Sequence, residues 1–212
     1  MRFVEVVIAI FVATSGATAA HARSDGLVRS LPGAEVDWSD GTVTASAGAA
    51  ADLRMPSPDA ARPGAERRAK SAALVRLRAA LDDLVVSPGE KLDARAIDNA
   101  LEHAQIARRE YQSNGGVVLW LAVSFGDLAP ASKPAPPLVL SVASAPLQLS
   151  PHLSAAGRQV RAASATYRPG KPEHDAVRVQ CDKKGRLVLP KEALLDSFAG
   201  APVVIYVQRA NP

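Results

Sequence analysis

The sequence predicts an α+β fold with a mixed, largely antiparallel sheet. Two helical segments, 63–85 and 94–111, follow one another after the first strand instead of alternating with strands. Extended segments joined by short glycine-containing turns make up most of the remaining chain, and a short C-terminal helix precedes the last strand. Helices that are segregated from hairpin-linked strands are typical of α+β rather than doubly wound parallel folds.

The composition agrees with a globular domain. The chain has 212 residues, of which 48% are hydrophobic, and this content is too high for a wholly disordered protein. Glycine does not recur with a collagen-like period. The single cysteine, Cys181, excludes an internal disulfide framework, but it leaves open a disulfide between two chains and hence a homodimer.

Residues 1–22 have the pattern of a secretory signal peptide. Arg2 provides a short positive segment, residues 6–13 are apolar, and small residues suitable for cleavage follow. The apolar run is much shorter than the roughly 20 residues that span a bilayer. We therefore predict a periplasmic or secreted protein without a transmembrane segment after cleavage. A flexible lead-in is expected over 23–35 and a single compact domain over 36–212.

The first half of the mature chain is predicted to contain a strand and a long helix. Residues 36–46 are extended on either side of Asp40-Gly41, a dipeptide that favours a tight turn. Residues 47–62 are rich in Ala, Pro and Gly and indicate a loop. The helix is predicted over 63–85. Its apolar stripe consists of leucines at helical spacing, namely Leu74, Leu77, Leu81 and Leu84.

A second helix and a central strand are predicted next. Asp93 is a suitable N-cap, and the helix is expected to continue to about Tyr111 with a thinner apolar stripe. After a glycine-rich break, residues 117–125 are apolar at both odd and even positions, which favours a strand covered on both faces. Trp38 and Trp120 are both predicted to lie in the core.

The last third of the chain is predicted to be mostly extended. The Pro-rich segment 129–137 cannot enter a sheet interior, because proline has no N–H to donate, and is expected to form a loop. Strands are predicted at 138–143, 159–167, 177–181, 187–189 and 203–207, with a short helix at 191–198.

No catalytic, cofactor-binding or metal-binding residue is predicted. The histidines of the mature chain, His103, His152 and His174, lie in separate segments, and no serine has the Gly-x-Ser-x-Gly context of a hydrolase nucleophile. Structural zinc needs about four nitrogen or sulfur ligands, and no such cluster is present in the sequence. We therefore expect a protein that is not an enzyme and uses no cofactor. An unrecognised ligand carrier or hydrolase remains an alternative.

The first helix carries a basic segment. Its positive residues are Arg62, Arg67, Arg68, Lys70, Arg76 and Arg78. A single acid, Glu66, lies among them. This composition is typical of a solvated helix face, and it also suits contact with an acidic partner. No aromatic residues are interleaved to stack on bases, so no nucleic-acid partner is expected. The candidate partner-contact residues are Arg67, Arg68, Arg76 and Arg78.

Residues 179–192 resemble the swapped-hairpin DNA-binding domain of AbrB-type transition-state regulators. The likeness consists of a Gly-Arg-Leu-Val-Leu-Pro turn at 185–190 and an apolar segment at 203–207. It implies an alternative function as a DNA-binding regulator, because the basic residues around the turn could contact phosphates. Those residues are Arg178, Lys183, Lys184 and Arg186. An exported protein does not meet a promoter, so this function is kept as the alternative.

A second resemblance covers most of the mature chain. Residues 38–45, Trp-Ser-Asp-Gly-Thr-Val-Thr-Ala, and the Ala/Arg/Leu-rich helix over 67–84 are separated by a Pro-rich gap. This pattern is similar to periplasmic lipoproteins of the LPP-type outer-membrane antigen family and to the N-terminal domain of the flagellar assembly protein FlgT. The strand at 138–143 and the Ala-Gly-Arg turn at 156–158 are similar to later segments of exported relatives. The chain differs from the lipoproteins in having no cysteine near the cleavage site for lipidation.

The resemblance implies a compact α+β module of the cell envelope that binds partners and has no known catalytic residues. The resulting expectation is an exported, non-enzymatic bacterial protein that acts by contact with an envelope protein. The expected contact surfaces are the arginine-rich face of the first helix and the Pro-rich loop at 129–137.

Overall fold

The α+β class is confirmed by the structure, a computed structural model. It describes residues 27–128, 137–172, 176–190 and 195–208. Five predicted features lie wholly or partly outside these ranges: the signal peptide at 1–22, residues 23–26 of the lead-in, the Pro-rich segment at 129–136, His174, and residues 191–194 of the C-terminal helix. None of the described helices is long and apolar enough to cross a membrane.

Residues 27–128 form a first lobe, in which a long helix packs on an antiparallel sheet. Its elements are β1 (Val28–Leu31), β2 (Ala34–Asp37), β3 (Thr42–Ala49), α1 (Pro58–Asp82), β4 (Val85–Ser87), β5 (Glu90–Lys91), α2 (Ala94–Glu102), β6 (Gln105–Tyr111), β7 (Val117–Ser124) and α3 (Phe125–Leu128). The sheet has the strand order β1-β2-β3-β7-β6, and β4 pairs with β5 in a separate hairpin. Helix α1 packs across β3 and β7.

Helix α1 begins earlier than predicted because Ser57 caps it. The Ser57 hydroxyl accepts a hydrogen bond from the Ala60 N–H at 3.2 Å, and Pro58 occupies the first turn, where its missing N–H needs no partner. The buried residues of α1 are mostly alanines: Ala61, Ala65, Ala69, Ala73, Leu77, Ala80 and Leu81. Because alanine is small, the helix can approach the sheet closely.

The turn at Asp40-Gly41 is confirmed, and the chain upstream of it holds additional structure. Gly41 has a φ of 65°, which glycine adopts without strain, and the turn joins β2 to β3 in an antiparallel hairpin. Within the expected lead-in, β1 pairs antiparallel with β2, and Leu27 is buried. The sequence pattern misses β1 because its residues 28–31 are half-buried or exposed.

The second predicted helix is too long. Helix α2 ends at Glu102, with His103 as its C-cap, and the rest of the predicted helix forms β6. Only Ile97 and Ala100 of α2 are buried, so the apolar stripe that would continue the helix is absent beyond them. Pairing with β7 then provides hydrogen-bond partners for the backbone of residues 105–111.

The prediction that the central strand is covered on both faces is wrong. Along β7, buried residues alternate with half-buried ones, so only the face toward α1 is covered. Trp120 is half-buried on the opposite face, and its predicted place in the core is therefore incorrect. The apolar residues at even positions of β7 lie beside polar residues of β3, and this surface remains partly exposed.

Residues 137–208 form a second lobe of short strands. Its elements are β8 (Leu138–Val142), β9 (His152–Ala155), β10 (Arg158–Arg161), β11 (Ser164–Pro169), β12 (Val177–Arg178), β13 (Gln180–Cys181), β14 (Leu187–Val188), a 3₁₀ helix (Leu195–Phe198) and β15 (Pro202–Val207). One sheet, β11-β15-β8-β12, is entirely parallel, and the other has the order β10-β9-β14-β13.

The predicted mixed, largely antiparallel strand pairing is confirmed, and the second lobe divides two of the predicted strands between separate sheets. The predicted strand at 159–167 is divided into β10 and β11, and that at 177–181 into β12 and β13. In both cases the two parts enter different sheets. The interruptions are only two residues, 162–163, and one residue, 179, which is too short for a sequence pattern to show that one strand has ended and another has begun.

The two lobes share one hydrophobic core. A single cluster of buried side chains includes Leu77 of α1 and Ile205 of β15. At the junction, Trp38 packs edge-on against Phe125 and Tyr167, with ring centroids 5.0 and 5.8 Å away. The predicted core position of Trp38 is confirmed, since it is only 4% exposed.

Candidate functional site

The basic residues of α1 do not form one free cationic face. Arg68 donates to the Ala50 carbonyl at 2.7 Å, Arg76 donates to the Ser46 carbonyl, and Arg78 forms an ion pair with Asp98 of α2. Among the four candidate contact residues, only Arg67 has a side chain without a partner in the described part of the chain. Arg68 and Arg76 instead attach the helix to the end of β3 and the loop that follows it.

The basic turn near the C-terminus is organised around a carboxylate. Asp182 accepts hydrogen bonds from the N–H groups of Lys184 and Arg186 at 2.8 and 2.9 Å, and it forms an ion pair with the Arg186 guanidinium at 2.6 Å. The backbone and side-chain hydrogen bonds from Arg186 hold the pKa of Asp182 below its usual value. Arg186 is thus occupied within the turn, while Lys183 and Lys184 are exposed.

The described histidines and the cysteine are not gathered into a catalytic cluster. His103 lies 2.8 Å from the Asn99 carbonyl at the end of α2, and His152 lies in β9. Burial, followed by the nearby charge of Asp182, raises the pKa of Cys181. Within the described ranges, no three His, Cys, Asp or Glu residues are placed to hold a metal ion.

The sheet face opposite α1 is the candidate functional site, and we call it the open face. Its central residues are Thr42, Thr44 and Ser46 of β3 and Val118, Trp120 and Ala122 of β7. All six are half-buried. The Arg108 guanidinium lies 4.8 Å from the centre of the Trp120 ring, and it also pairs with Glu110 two residues further along β6. A large aromatic ring and an arginine therefore lie together on a surface whose other central residues are threonine, serine, valine and alanine.

The charges of the open face are mainly negative. Register with β3 places Glu35 and Asp37 of β2 on this face, opposite Thr44 and Thr42. Register with β7 places Arg108 and Glu110 of β6 there as well. Three carboxylates therefore accompany one guanidinium among the described residues of this face, although the whole chain has a net charge of +4. Glu110 pairs with that guanidinium, and Asp37 accepts hydrogen bonds from the Ser39 hydroxyl and from the N–H groups of Ser39 and Asp40.

Strand β6 protects the edge of the sheet beside the open face. All seven of its residues are exposed, and among the described strands it pairs only with β7. Its register shifts between Ile106 and Arg108, which leaves Ala107 as a bulge, and charged residues follow at 108–110. Bulges and charges at an edge disfavour the addition of another strand. The addition of another strand along this edge of the sheet is therefore disfavoured.

The open face is not evident from the sequence of β7 alone, because β7 is apolar at both odd and even positions. Its neighbour β3 has Thr42, Thr44 and Ser46 at alternate positions, which is a polar period of two. Since side chains of adjacent strands share a face, the polar side of β3 indicates that one side of β7 is not in the core. The strand partner needed for this argument is known only from the structure.

A second polar surface is the groove at the carboxyl ends of β8 and β15, with a volume of about 700 Å³. Lys171, Arg178, Gln180 and Gln208 line it, and Gln208 donates to the Ser141 hydroxyl at 3.2 Å. This is where the structure places Arg178, away from the Asp182 turn that contains the other predicted phosphate contacts.

No family model matches the chain, and no curated protein matches it.

Proposed function

We propose that this chain is an exported, non-enzymatic protein of the bacterial envelope that binds a partner protein through its open face. The observation that carries the proposal is the half-buried Trp120 with Arg108 over its ring. Tryptophan and arginine are the residue types most enriched among those that dominate binding energy at protein interfaces. In a molecule with only two tryptophans, one of them lies on a sheet face that no described helix covers, rather than in the core.

The charge of the open face defines the chemistry of the partner. Asp37 and Glu110 lie on either side of the central β3–β7 pair. A complementary surface would present an apolar side chain to Trp120 and basic side chains to these carboxylates. We therefore propose a partner with a basic contact surface, in contrast to the acidic partner that the arginines of α1 suggested.

Export is supported by the sequence pattern of residues 1–22 and by the resemblance to periplasmic lipoproteins. N-terminal sequencing of the protein purified from its bacterial host tests this part of the proposal. Cleavage before Ala20 or Arg23 is expected. An intact N-terminus in a cytoplasmic fraction would contradict export and favour the regulator alternative.

The contact surface is tested with purified variants. Affinity purification from periplasmic extract, followed by calorimetry with the recovered partner, should show that Trp120→Ala weakens binding about thirtyfold or more. Glu110→Lys should also weaken it, since it places a positive charge against a basic surface. Val75→Ala is the matched control, because Val75 is 71% exposed on α1, on the other side of the sheet. Unchanged affinity of both open-face variants would refute the proposed surface.

The arginine face of α1 remains a separate prediction, and Arg67→Glu is its appropriate test. Arg67 is the candidate contact whose substitution breaks no contact of its side chain with described residues. Charge reversal at Arg68 or Arg76 would also remove hydrogen bonds to Ala50 or Ser46, so lost binding could reflect altered folding. A partner whose affinity falls with Arg67→Glu, and not with Trp120→Ala, would favour the helix face.

A further inference from the structure

A cavity of about 240 Å³ lies where β1 and β2 meet the C-terminal end of α1. Its wall is mainly apolar and includes Leu31, Val36, Ala80 and Leu147. The volume corresponds to about eight water molecules at ~30 Å³ each. Leu147 comes from the second lobe, so the cavity lies at the junction of the two lobes, where ligand sites are common.

An arginine without an ion-pair partner lines the mouth of this cavity. Arg29 lies directly opposite the buried Val36 in the β1–β2 pair, so both side chains are on the α1 side of the sheet. Arg29 is exposed, and none of the described residues pairs with its guanidinium. Asp83 also lines the cavity, but the Lys91 ammonium lies 3.4 Å from its carboxylate. The unpaired charge at the mouth is therefore positive.

Trp38 forms part of the wall of the cavity. Its side chain is 4% exposed, and its Nε1 has almost no accessible surface. The carbon part of the indole ring, and not its N–H, therefore faces the cavity. Trp38 follows β2, and Arg29 lies opposite Val36, two residues earlier. Such diagonal neighbours are about 7–8 Å apart at Cα, so a ligand beside Arg29 also lies close to the indole ring.

We infer that this cavity binds a small organic carboxylate with an apolar body, of about eight non-hydrogen atoms in total. The apolar body packs between Leu31, Ala80 and Leu147. The carboxylate lies toward Arg29, and the apolar body also contacts the indole ring of Trp38. This site is distinct from the open face, and its ligand class follows from one unpaired cation and apolar walls.

Hexanoate is the probe. Hexan-1-ol and hexylamine are the comparison ligands, because they have the same six-carbon chain with a neutral or a positively charged head group. The two indole N–H signals in a ¹H–¹⁵N spectrum of the mature protein are assigned with Trp120→Phe, which removes one of them. Hexanoate should shift the Trp38 signal saturably, with a dissociation constant of about 1 mM for so small a ligand. Hexylamine should bind at least about fivefold more weakly, because its charge is repelled by Arg29.

Two pairs of variants complete the test. Ala80→Leu fills the cavity and should abolish the hexanoate shift, whereas Ala79→Leu adds the same volume at an exposed position and should preserve it. Arg29→Gln should weaken hexanoate about threefold to fivefold and leave hexan-1-ol unchanged, with Arg67→Gln as its control. The proposal is overturned if hexanoate leaves the Trp38 signal in place or if hexylamine binds as tightly. If Ala80→Leu does not fold, equal hexanoate affinity of Arg29→Gln and Arg67→Gln overturns it.

Discussion

The two lobes differ in how their strands find partners. In the first sheet, three of the four pairings join strands that follow one another in the sequence: β1 with β2, β2 with β3 and β6 with β7. In the parallel sheet of the second lobe, β11-β15-β8-β12, no pairing joins consecutive strands. Antiparallel neighbours can be linked by a tight turn that leaves a local sequence pattern, whereas parallel neighbours require a crossover.

This contrast explains why the second lobe depends more strongly on the shared core. Its strands β12, β13 and β14 have two residues each, and isolated pairs of short strands are not stable in water. The first lobe has a 25-residue helix packed on its sheet. The buried cluster that joins both lobes therefore predicts one cooperative unit, despite their different topologies.

The strongest test of this idea truncates a buried side chain in each lobe. Leu77 of α1 and Ile205 of β15 are both 0% exposed, so Leu77→Ala and Ile205→Ala should each lower the free energy of unfolding by about 2–5 kcal/mol. Differential scanning calorimetry should show a single transition that moves to lower temperature in both variants. Two transitions, with only one of them displaced in each variant, would show that the lobes unfold independently.

A smaller effect is expected at the junction itself. The Tyr167 hydroxyl accepts from the Gln148 N–H at 2.9 Å and lies 3.1 and 3.2 Å from the Gln148 and Pro146 carbonyls. Burial raises the pKa of Tyr167, so the hydroxyl is protonated and can donate. Tyr167→Phe leaves the buried Gln148 N–H without its acceptor, and this should cost about 1–3 kcal/mol in chemical denaturation.

Tyr206→Phe is the matched control for the junction. Tyr206 is half-buried in the same parallel sheet, so loss of its hydroxyl should change stability by less than about 0.5 kcal/mol. Equal stability losses in the two variants would mean that the Tyr167 hydrogen bonds do not join Gln148 to the core.

The smallest effect concerns acid stability of the Asp182 turn. Hydrogen bonds from Arg186 lower the pKa of Asp182 in the folded protein, so its carboxylate stabilises the fold above the unfolded-state pKa of about 3.9. This contribution is lost as the pH falls through the folded-state pKa. Asp182→Asn removes it, and the variant's denaturation midpoint should fall less than that of the wild type between pH 5 and pH 2.

Asp196→Asn is the control for acid stability. It removes another carboxylate from the second lobe, one that pairs with Arg158 at 2.6 Å. Because it leaves the Asp182 turn intact, this variant should still lose the stability that the turn contributes as the pH falls. If Asp182→Asn loses as much stability in acid as this control, the turn does not contribute to the pH dependence.

Local sequence patterns predicted the features whose defining residues lie within a few positions of one another, such as turns, helix caps and helical apolar stripes. The Asp40-Gly41 turn, the Asp93 cap of α2 and the core position of Leu77 are all confirmed. Strand β6 was mistaken for helix because its neighbour β7, which pairs with its backbone, lies beyond a turn that the helical pattern does not include. The open face and the cavity were not predicted, since each joins residues from several elements.

The sequence by itself determined the α+β class, the long Ala/Leu-faced helix and the tight turns, because helical periodicity and positive-φ turns act over a few residues. Only the tertiary structure decided which side of β7 is open, where Trp120 lies and how the arginines of α1 are used. Arg76 contacts the carbonyl of Ser46, 30 positions away. The cavity at Arg29 and Trp38 likewise forms only when β1, α1 and the second lobe meet. Contacts between distant segments depend on chain topology, and no local pattern of side chains specifies it.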